Sequence, residues 1–308
     1  MSVPNGILLV DKPKGFTSFD VIGKLRGILK TKKMGHAGTL DPMATGVLPV
    51  FIGRATRAIP FLEDHDKIYN AVMQLGIVTD TQDITGTILK TVDVKEMQPK
   101  NGDIADVISS FVGDITQIPP MYSAVKVDGK RLYDLARKGI EVERQPRQIH
   151  INFIDILASD PEKNSYTLNV GCSKGTYIRT LCHDIGAKIG TGAVLTELRR
   201  VDACGYDESE CLTFDEISDF VEKGDWSIIK PIDTAFSYLP RLNLSEDHAK
   251  KIANGIKPTF SDLRYTALDT DKDIMYSVYS ESGLFIGLCF GDRQKESLIP
   301  KRIFSERM

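Results

Sequence analysis

The sequence predicts an α+β protein built on an extensive, mixed but mainly antiparallel sheet, with a smaller β-rich module towards its C-terminal end. Three observations predict it. Segments with two-residue apolar alternation and segments with a helical period follow one another without a regular strand–helix–strand rhythm, which argues against a doubly wound parallel sheet. The 308 residues are 42% hydrophobic and 26% charged, an ordinary globular composition, and the length suggests two domains or one large domain with an appendage. Near residue 240 the chain changes to short strand-like runs separated by Gly and Asp.

Taken in order, "GILLVDKP" is a short buried strand stopped by a Lys-Pro turn. Thr17 or Ser18 then caps a helix whose apolar positions Val21, Ile22, Leu25, Ile28 and Leu29 follow the helical period. The stretch from Gly35 to Gly46 is a long loop leading into the strand "VLPVFIG". In "KIYNAVMQLG", Tyr69, Ala71, Met73 and Leu75 alternate onto one face, as in a half-buried strand. "TDTQDITG" is a loop, "TILKTV" a strand, and Asp103 to Phe111 a helix. "SAVKVDGKRLYDLARKG" reads as strand, Asp-Gly turn and basic helix, while "RQIHINFIDILA" and "SYTLNVGCSKG" are strands able to pair. "TYIRTLCHDIGAKIG" is a helix closed by Gly190, "TFDEISDFVEKG" an acidic amphipathic helix with a Thr cap, and "LSEDHAKKIANG" a short helix.

Several classes are set aside. The longest apolar runs are far too short to span a bilayer, and "MSVPNGILLVDKPKG" carries neither a basic leader nor an export core, so a cytoplasmic location without membrane association is expected. Five cysteines without C-x-x-C spacing read as reduced thiols. Cys182 and His183 are adjacent but lack spaced companions, so no metal site is expected. "GTGAVL" has two of three dinucleotide glycines and follows a helix, which argues against a nucleotide cofactor.

The net charge of −3 hides a strong polarity. Residues 1–58 carry +6, residues 120–150 carry +3, and residues 202–239 carry −8. The basic segments are either solvated surface or one face for a polyanion.

"GHAGTLDPMATGVL" contains a single carboxylate, Asp41, ahead of Pro42 and framed by glycines. Proline fixes its own φ and biases the preceding residue to extended backbone, so this is either an Asx turn or a stiff pedestal for one carboxylate. Glycosidases want two carboxylates at a set separation and metal sites want several ligands. A lone carboxylate suits covalent or near-covalent chemistry at one electrophilic carbon, provided a cation keeps it ionised.

"GHAGTLDPMATGVLPV" resembles the catalytic motif of the TruB-type tRNA pseudouridine synthases, which act on the T-loop uridine at tRNA position 55. The resemblance continues through "NGILLVDKPKGFTSFDV", "DKIYNAVMQLG", "PPMYSAVKVDGKRLYDLARKG" and "CSKGTYIRTLCHDIGAKIGTGAVLTELRR", in the family's order, over residues 5 to about 205. It implies a pseudouridine synthase fold, a central mixed sheet flanked by helices, over residues 1–239, with a thumb-like RNA-binding insertion at about 124–151. It further implies a small PUA-like RNA-binding domain over residues 240–308. The implied activity is isomerisation of uridine to pseudouridine, with the base flipped out, no cofactor and no metal. The implied partner is the T-stem-loop of tRNA, met by a monomer.

On the same basis Asp41 is the catalytic aspartate, Tyr69 the ring that stacks on the base and can help remove the C5 proton, and Arg179 the cation that pairs with Asp41 and lowers its pKa. Leu198 matches an apolar pocket wall, and His36 the side chain that fills the space left by the extruded uridine. Lys12, Arg57 and Tyr177 match positions near the substrate, and Lys126, Lys130 and Arg131 belong to the basic segments expected to grip the T-stem and loop, with 24–33 and 199–200. Two rivals stand beside this reading: a non-catalytic tRNA-binding or folding factor on the same scaffold, and a guide-RNA-dependent synthase.

Overall fold

Residue patterning dictates two main sheets and two small hairpins. A computed structural model describes residues 3–62, 65–94, 103–123, 125–127, 129–263 and 268–306. Strand β1 (Gly6–Lys12) is an apolar run buried on both faces. The first helix, α1 (Ser18–Leu29), starts at a Thr17/Asp20 capping box and buries Val21, Ile22, Leu25 and Leu29 on one stripe. The stretch read as a loop from Gly35 to Gly46 is partly strand: β2 (Met34–His36) pairs with β3 (Thr45–Ile52), and residues 37–44 bridge them. A 3-10 turn, Gly53–Phe61, follows. In β4 (Lys67–Leu75) the expected alternation holds, with Tyr69, Ala71, Met73 and Leu75 buried.

A small hairpin, β5 (Ile77–Thr79) and β6 (Ile88–Thr91), closes over the next loop. Then come α2 (Ile104–Ser109), β7 (Gly113–Gln117), the two-stranded β8 (Lys126–Val127) and β9 (Lys130–Arg131), and α3 (Leu132–Ala136). The long β10 (Arg147–Asp160) pairs with β11 (Ser165–Cys172), as their sequences suggested. Helix α4 (Ile178–Ile189) ends at Gly190 in left-handed conformation and leads into β12 (Ala193–Ala203), which carries the short β13 (Tyr206–Asp207). Helix α5 (Phe214–Glu222) opens on a Thr213/Glu216 capping box.

The nine-stranded sheet runs β1-β3-β12-β4-β11-β10-β7, with β2 on β3 and β13 on β12. Its pairs are antiparallel apart from β3 and β12. That parallel register places Arg200 against Gly46, and so joins the loop after β2 to the centre of the sheet. One apolar core packs α4 (Leu181, Ile185, Ile189) on β4, β11 and β12, each buried Leu or Ile contributing about 1.5–3 kcal/mol of transfer free energy. Another packs α1 and α5 against β1 and β3. Downstream, β14 (Arg241–Leu244), β15 (Ile274–Ser280), β16 (Phe285–Asp292) and β17 (Ser297–Ile303) form a separate four-stranded sheet, covered by α6 (Glu246–Ala253). Phe236, Phe285, Leu288 and Phe304 cluster with Ile7 and Phe51 of the first sheet, so apolar packing joins the two. No helix among the described residues is long and apolar enough to cross a membrane.

Candidate active site

The loop carrying Asp41 is held from below by backbone and side-chain bonds. Ser18, the first residue of α1, receives the Leu40 N–H at 2.8 Å and donates its hydroxyl to the Leu40 carbonyl at 3.2 Å. The Gly15 N–H donates to the Pro42 carbonyl. Lys12, at the end of β1, has no exposed surface and donates Nζ to the carbonyls of Pro13 (3.0 Å) and Pro42 (3.4 Å). Burial lowers the Lys12 pKa to about 8, with Asp41 opposing and Arg200 reinforcing the shift. Lys12, expected near the substrate, sits beneath the Asp41 loop, held to the Pro13 and Pro42 carbonyls.

Arg179, in the first turn of α4, is 4% exposed and meets Asp41 with two prongs, Nε to Oδ2 at 2.9 Å and Nη2 to Oδ1 at 3.2 Å. Its remaining donors reach the Thr81 carbonyl (3.0 Å), the Tyr122 carbonyl (2.9 Å) and Asp83, 3.6 Å away. Asp83 is fixed in turn by the hydroxyls of Thr81 and Thr85. A bidentate pair of this kind sets direction as well as charge. The pKa of Asp41 nonetheless lies above the ordinary carboxylate range: burial is the largest influence, Arg179 pulls downward, and Asp83 pushes upward. The expected lowering by the guanidinium is present but outweighed.

Asp41, 35% exposed at its side chain, lies at a cavity of about 300 Å³ walled by Tyr69, Leu198, Tyr177, Arg179, Arg200 and Lys67. The geometry of three strands builds it. On β4 and β12, Tyr69 faces Arg200 and Ala71 faces Leu198, so these side chains share one face. Helix α4 starts at Tyr177, whose N–H and C=O are both held by the buried Gln117 amide, at 3.0 and 3.2 Å. Burial raises the Tyr69 pKa, and Arg200 draws it back. Lys67 donates to the His65 carbonyl and is pushed down by burial.

The structure thus brings together Asp41, Tyr69, Arg179, Tyr177 and Leu198. His36 is half-buried on β2 and outside the cavity lining; burial and then Arg200 lower its pKa, favouring the neutral ring. Arg57 is exposed on the 3-10 turn, also away from the cavity. The side chains of Lys126, Lys130 and Arg131 lie outside the described residues. Residues 199–200 were expected among the basic groups that grip the T-stem and loop, and burial takes Arg200 out of that set. Arg199 is held by Asp11 and Glu208, and Arg200 has no exposed surface. Sequence reasoning missed Asp83 and Gln117; the dense Thr and Asp content of "TDTQDITG" was the available signal for the first.

A mixed sheet presents one guanidinium-gripped carboxylate beside a wall of Tyr69 and Leu198, and the comparisons give the class: pseudouridine synthases. Over 98% of this chain and 85% of the other, it superposes on the solved Cbf5–Nop10–Gar1 complex with a TM-score of 0.73 at 25% identity. The family described as "TruB family pseudouridylate synthase (N terminal domain)" matches residues 26–178, and "tRNA pseudouridylate synthase B C-terminal domain" matches residues 179–237. The tRNA pseudouridine synthase B of Syntrophotalea carbinolica is 47% identical over 83% of this chain and 82% of its own. That of Clostridium kluyveri is 43% identical over 92% and 94%, and that of Clostridium perfringens 39% over 98% and 99%. The chain belongs to the TruB family of pseudouridine synthases.

Proposed function

We propose that this enzyme converts uridine 55 in the T-loop of tRNA to pseudouridine, acting as a cytoplasmic monomer with Asp41 as its reacting carboxylate. The observation that carries it is the two-pronged grip of buried Arg179 on Asp41, at a cavity walled by Tyr69 and Leu198. A tRNA-binding factor needs no such grip, and the relatives named tRNA pseudouridine synthase B at 39–47% identity favour the stand-alone enzyme over a guide-dependent one.

The reaction breaks C1′–N1, turns the uracil and joins C5 to C1′; C5 then loses a proton and N1 gains one, with no net oxidation. A stacked base cannot reach the cavity, so the uridine is flipped into it. Tyr69 and Leu198 sandwich the ring, Tyr177 closes the rim, and Asp41, ionised and aimed by Arg179, serves the reacting carbon or its ribose. The half-buried, neutral imidazole of His36 suits the gap left in the T-loop. Arg57 and the segment at 124–151, including Lys126, Lys130 and Arg131, grip the T-stem backbone. Residues 1–239 form the catalytic domain and 240–308 the PUA-like domain, a division supported by the second family match ending at residue 237 and the separate sheet starting at Arg241.

The test is tritium release from tRNA transcript labelled at uridine C5. Wild type is expected to release it, and Asp41→Asn to lose at least ~10⁴-fold in rate, as removal of a reacting group does. Tight tRNA binding without release by the wild type would establish the binding-factor reading instead.

A further inference from the structure

Arg200 is the anomaly of the pocket. It is 0% exposed and lines the cavity, yet among the described residues no carboxylate pairs with it. Its Nε donates to the Val47 carbonyl at 2.8 Å and its Nη2 to the Gly38 carbonyl at 2.9 Å, while Nη1 is buried and makes no hydrogen bond. A buried charge held by carbonyl dipoles alone is costly, so the site retains it for a reason.

The room around it is reserved. A Cβ on Gly38 would stand 2.9 Å from Nη1, and one on Gly46 would collide with the Arg200 carbonyl. Both glycines also have positive φ, +72° and +97°. The glycines framing Asp41 thus admit the Arg200 guanidinium and backbone. Arg200 is also the strand partner of Tyr69 across β12 and β4, a position that puts the two side chains on one face within about 5 Å at Cβ. The guanidinium draws down the Tyr69 pKa by its charge, against the larger effect of burial.

We propose that Arg200 is the positioning residue for Tyr69: its spare Nη1 donor holds the Tyr69 oxygen and stabilises it as the proton acceptor for C5 of the turned uracil. This rests on the role given to Tyr69 above. The phenol keeps its own proton until C5 gives one up, and passes it to water as the C5 proton arrives. When C5 has joined C1′, the C5–H bond breaks, its electron pair restores the ring double bond, and the proton passes to the Tyr69 oxygen. N1 takes a proton from water, which completes the isomerisation. Arg200 touches no substrate atom in this scheme.

The experiment compares single-turnover rates on tRNA carrying protium or deuterium at C5, for wild type, Arg200→Gln, Arg200→Lys, Tyr69→Phe and Tyr69→Phe/Arg200→Gln. Circular dichroism and tRNA affinity confirm that each variant is folded. Arg200→Gln is expected to be about 100-fold slower, within the range of a lost acid–base contribution, and to show a C5 isotope effect of at least twofold larger than that of wild type. Arg200→Lys is expected to recover part of the rate, and Arg200→Gln to add less than threefold in the Tyr69→Phe background. A rate loss with unchanged isotope effect, repeated in full when Tyr69 is already Phe, would show Arg200 to be a clamp for the Asp41 loop and would overturn the proposal. An unimpaired Tyr69→Phe enzyme would instead remove the Tyr69 role itself, and the proposal with it.

Discussion

Arg179 and Arg200 line the same cavity and are almost equally buried, but Arg179 meets Asp41 and Asp83 where Arg200 meets only the carbonyls of Gly38 and Val47. Positive charge paired with carboxylates is largely neutralised locally, and what it supplies is geometry. Positive charge held by carbonyls still acts on its neighbours, and Arg200 accordingly draws down the pKa of Tyr69, His36 and Lys12. One wall of the pocket aims a carboxylate; the other sets the potential around it.

The contrast is broken most severely on the Arg179 side. Arg179→Gln leaves Asp41 and Asp83 facing each other without their shared cation, and removing one partner of a buried pair costs about 3–5 kcal/mol. The rate of pseudouridine formation is expected to fall by at least ~10³-fold. Because Arg179 holds the Asp41 pKa down, the acid limb of any residual activity is expected to move to higher pH. Urea unfolding and tritium release as a function of pH check the two parts.

On the Arg200 side the comparable break is steric. Gly46→Ala forces a side chain into the Arg200 carbonyl at φ +97°, and a loss of about 2–4 kcal/mol is expected from strain and displacement. Gly15→Ala has the same φ problem, at +87°, but open space around it. About 1 kcal/mol is expected there. Thermal or urea denaturation of the two variants isolates the contribution of the close approach; equal losses would show that Arg200 does not need the space.

Legibility in the sequence divides along the same line. Strand β4 was readable because its alternation is a local property of Tyr69, Ala71, Met73 and Leu75, and α1 because Thr17 and Asp20 cap it locally. Asp41 stood out through Pro42 and the glycines. Arg179, by contrast, looks like any arginine entering a helix, and its part in the site came from family resemblance; the structure adds its burial and partners. Arg200 looked like half of a basic pair, since nothing local distinguishes a strand's inner face from its outer face for two adjacent arginines. Asp83 and Gln117 act 96 and 60 residues away, on Arg179 and Tyr177. Contacts of that range are set by topology, which no local pattern encodes.

A smaller effect sharpens the role of Asp83. Asp83→Asn removes a like charge that raises the Asp41 pKa, yet keeps a polar group beside Arg179. The sign is opposite to that of Arg179→Gln: the Asp41 pKa falls, so the acid limb moves to lower pH. The maximal rate is expected to fall about tenfold through looser positioning of the guanidinium. A shift to higher pH would mean that Asp83 acts chiefly by holding Arg179 in place.

The smallest effect belongs to Arg199, the immediate neighbour of Arg200 on β12. Its guanidinium lies at 3.0 Å from Asp11 and 2.5 Å from Glu208, with 36% of the side chain exposed. Exposed pairs of this kind contribute about 0–1 kcal/mol, and salt weakens them. Arg199→Ala is therefore expected to lower stability by less than about 1 kcal/mol, and by less still in 0.5 M salt. Since both carboxylate partners already occupy the guanidinium, tRNA affinity and its salt dependence are expected to change by no more than about twofold. A larger loss, with a shallower salt slope, would mean that Arg199 leaves Asp11 and Glu208 to meet a phosphate when tRNA arrives. The two arginines would then differ in mobility as well as in burial: Arg200 fixed by carbonyls that cannot move away, Arg199 held by carboxylates that solvent can replace.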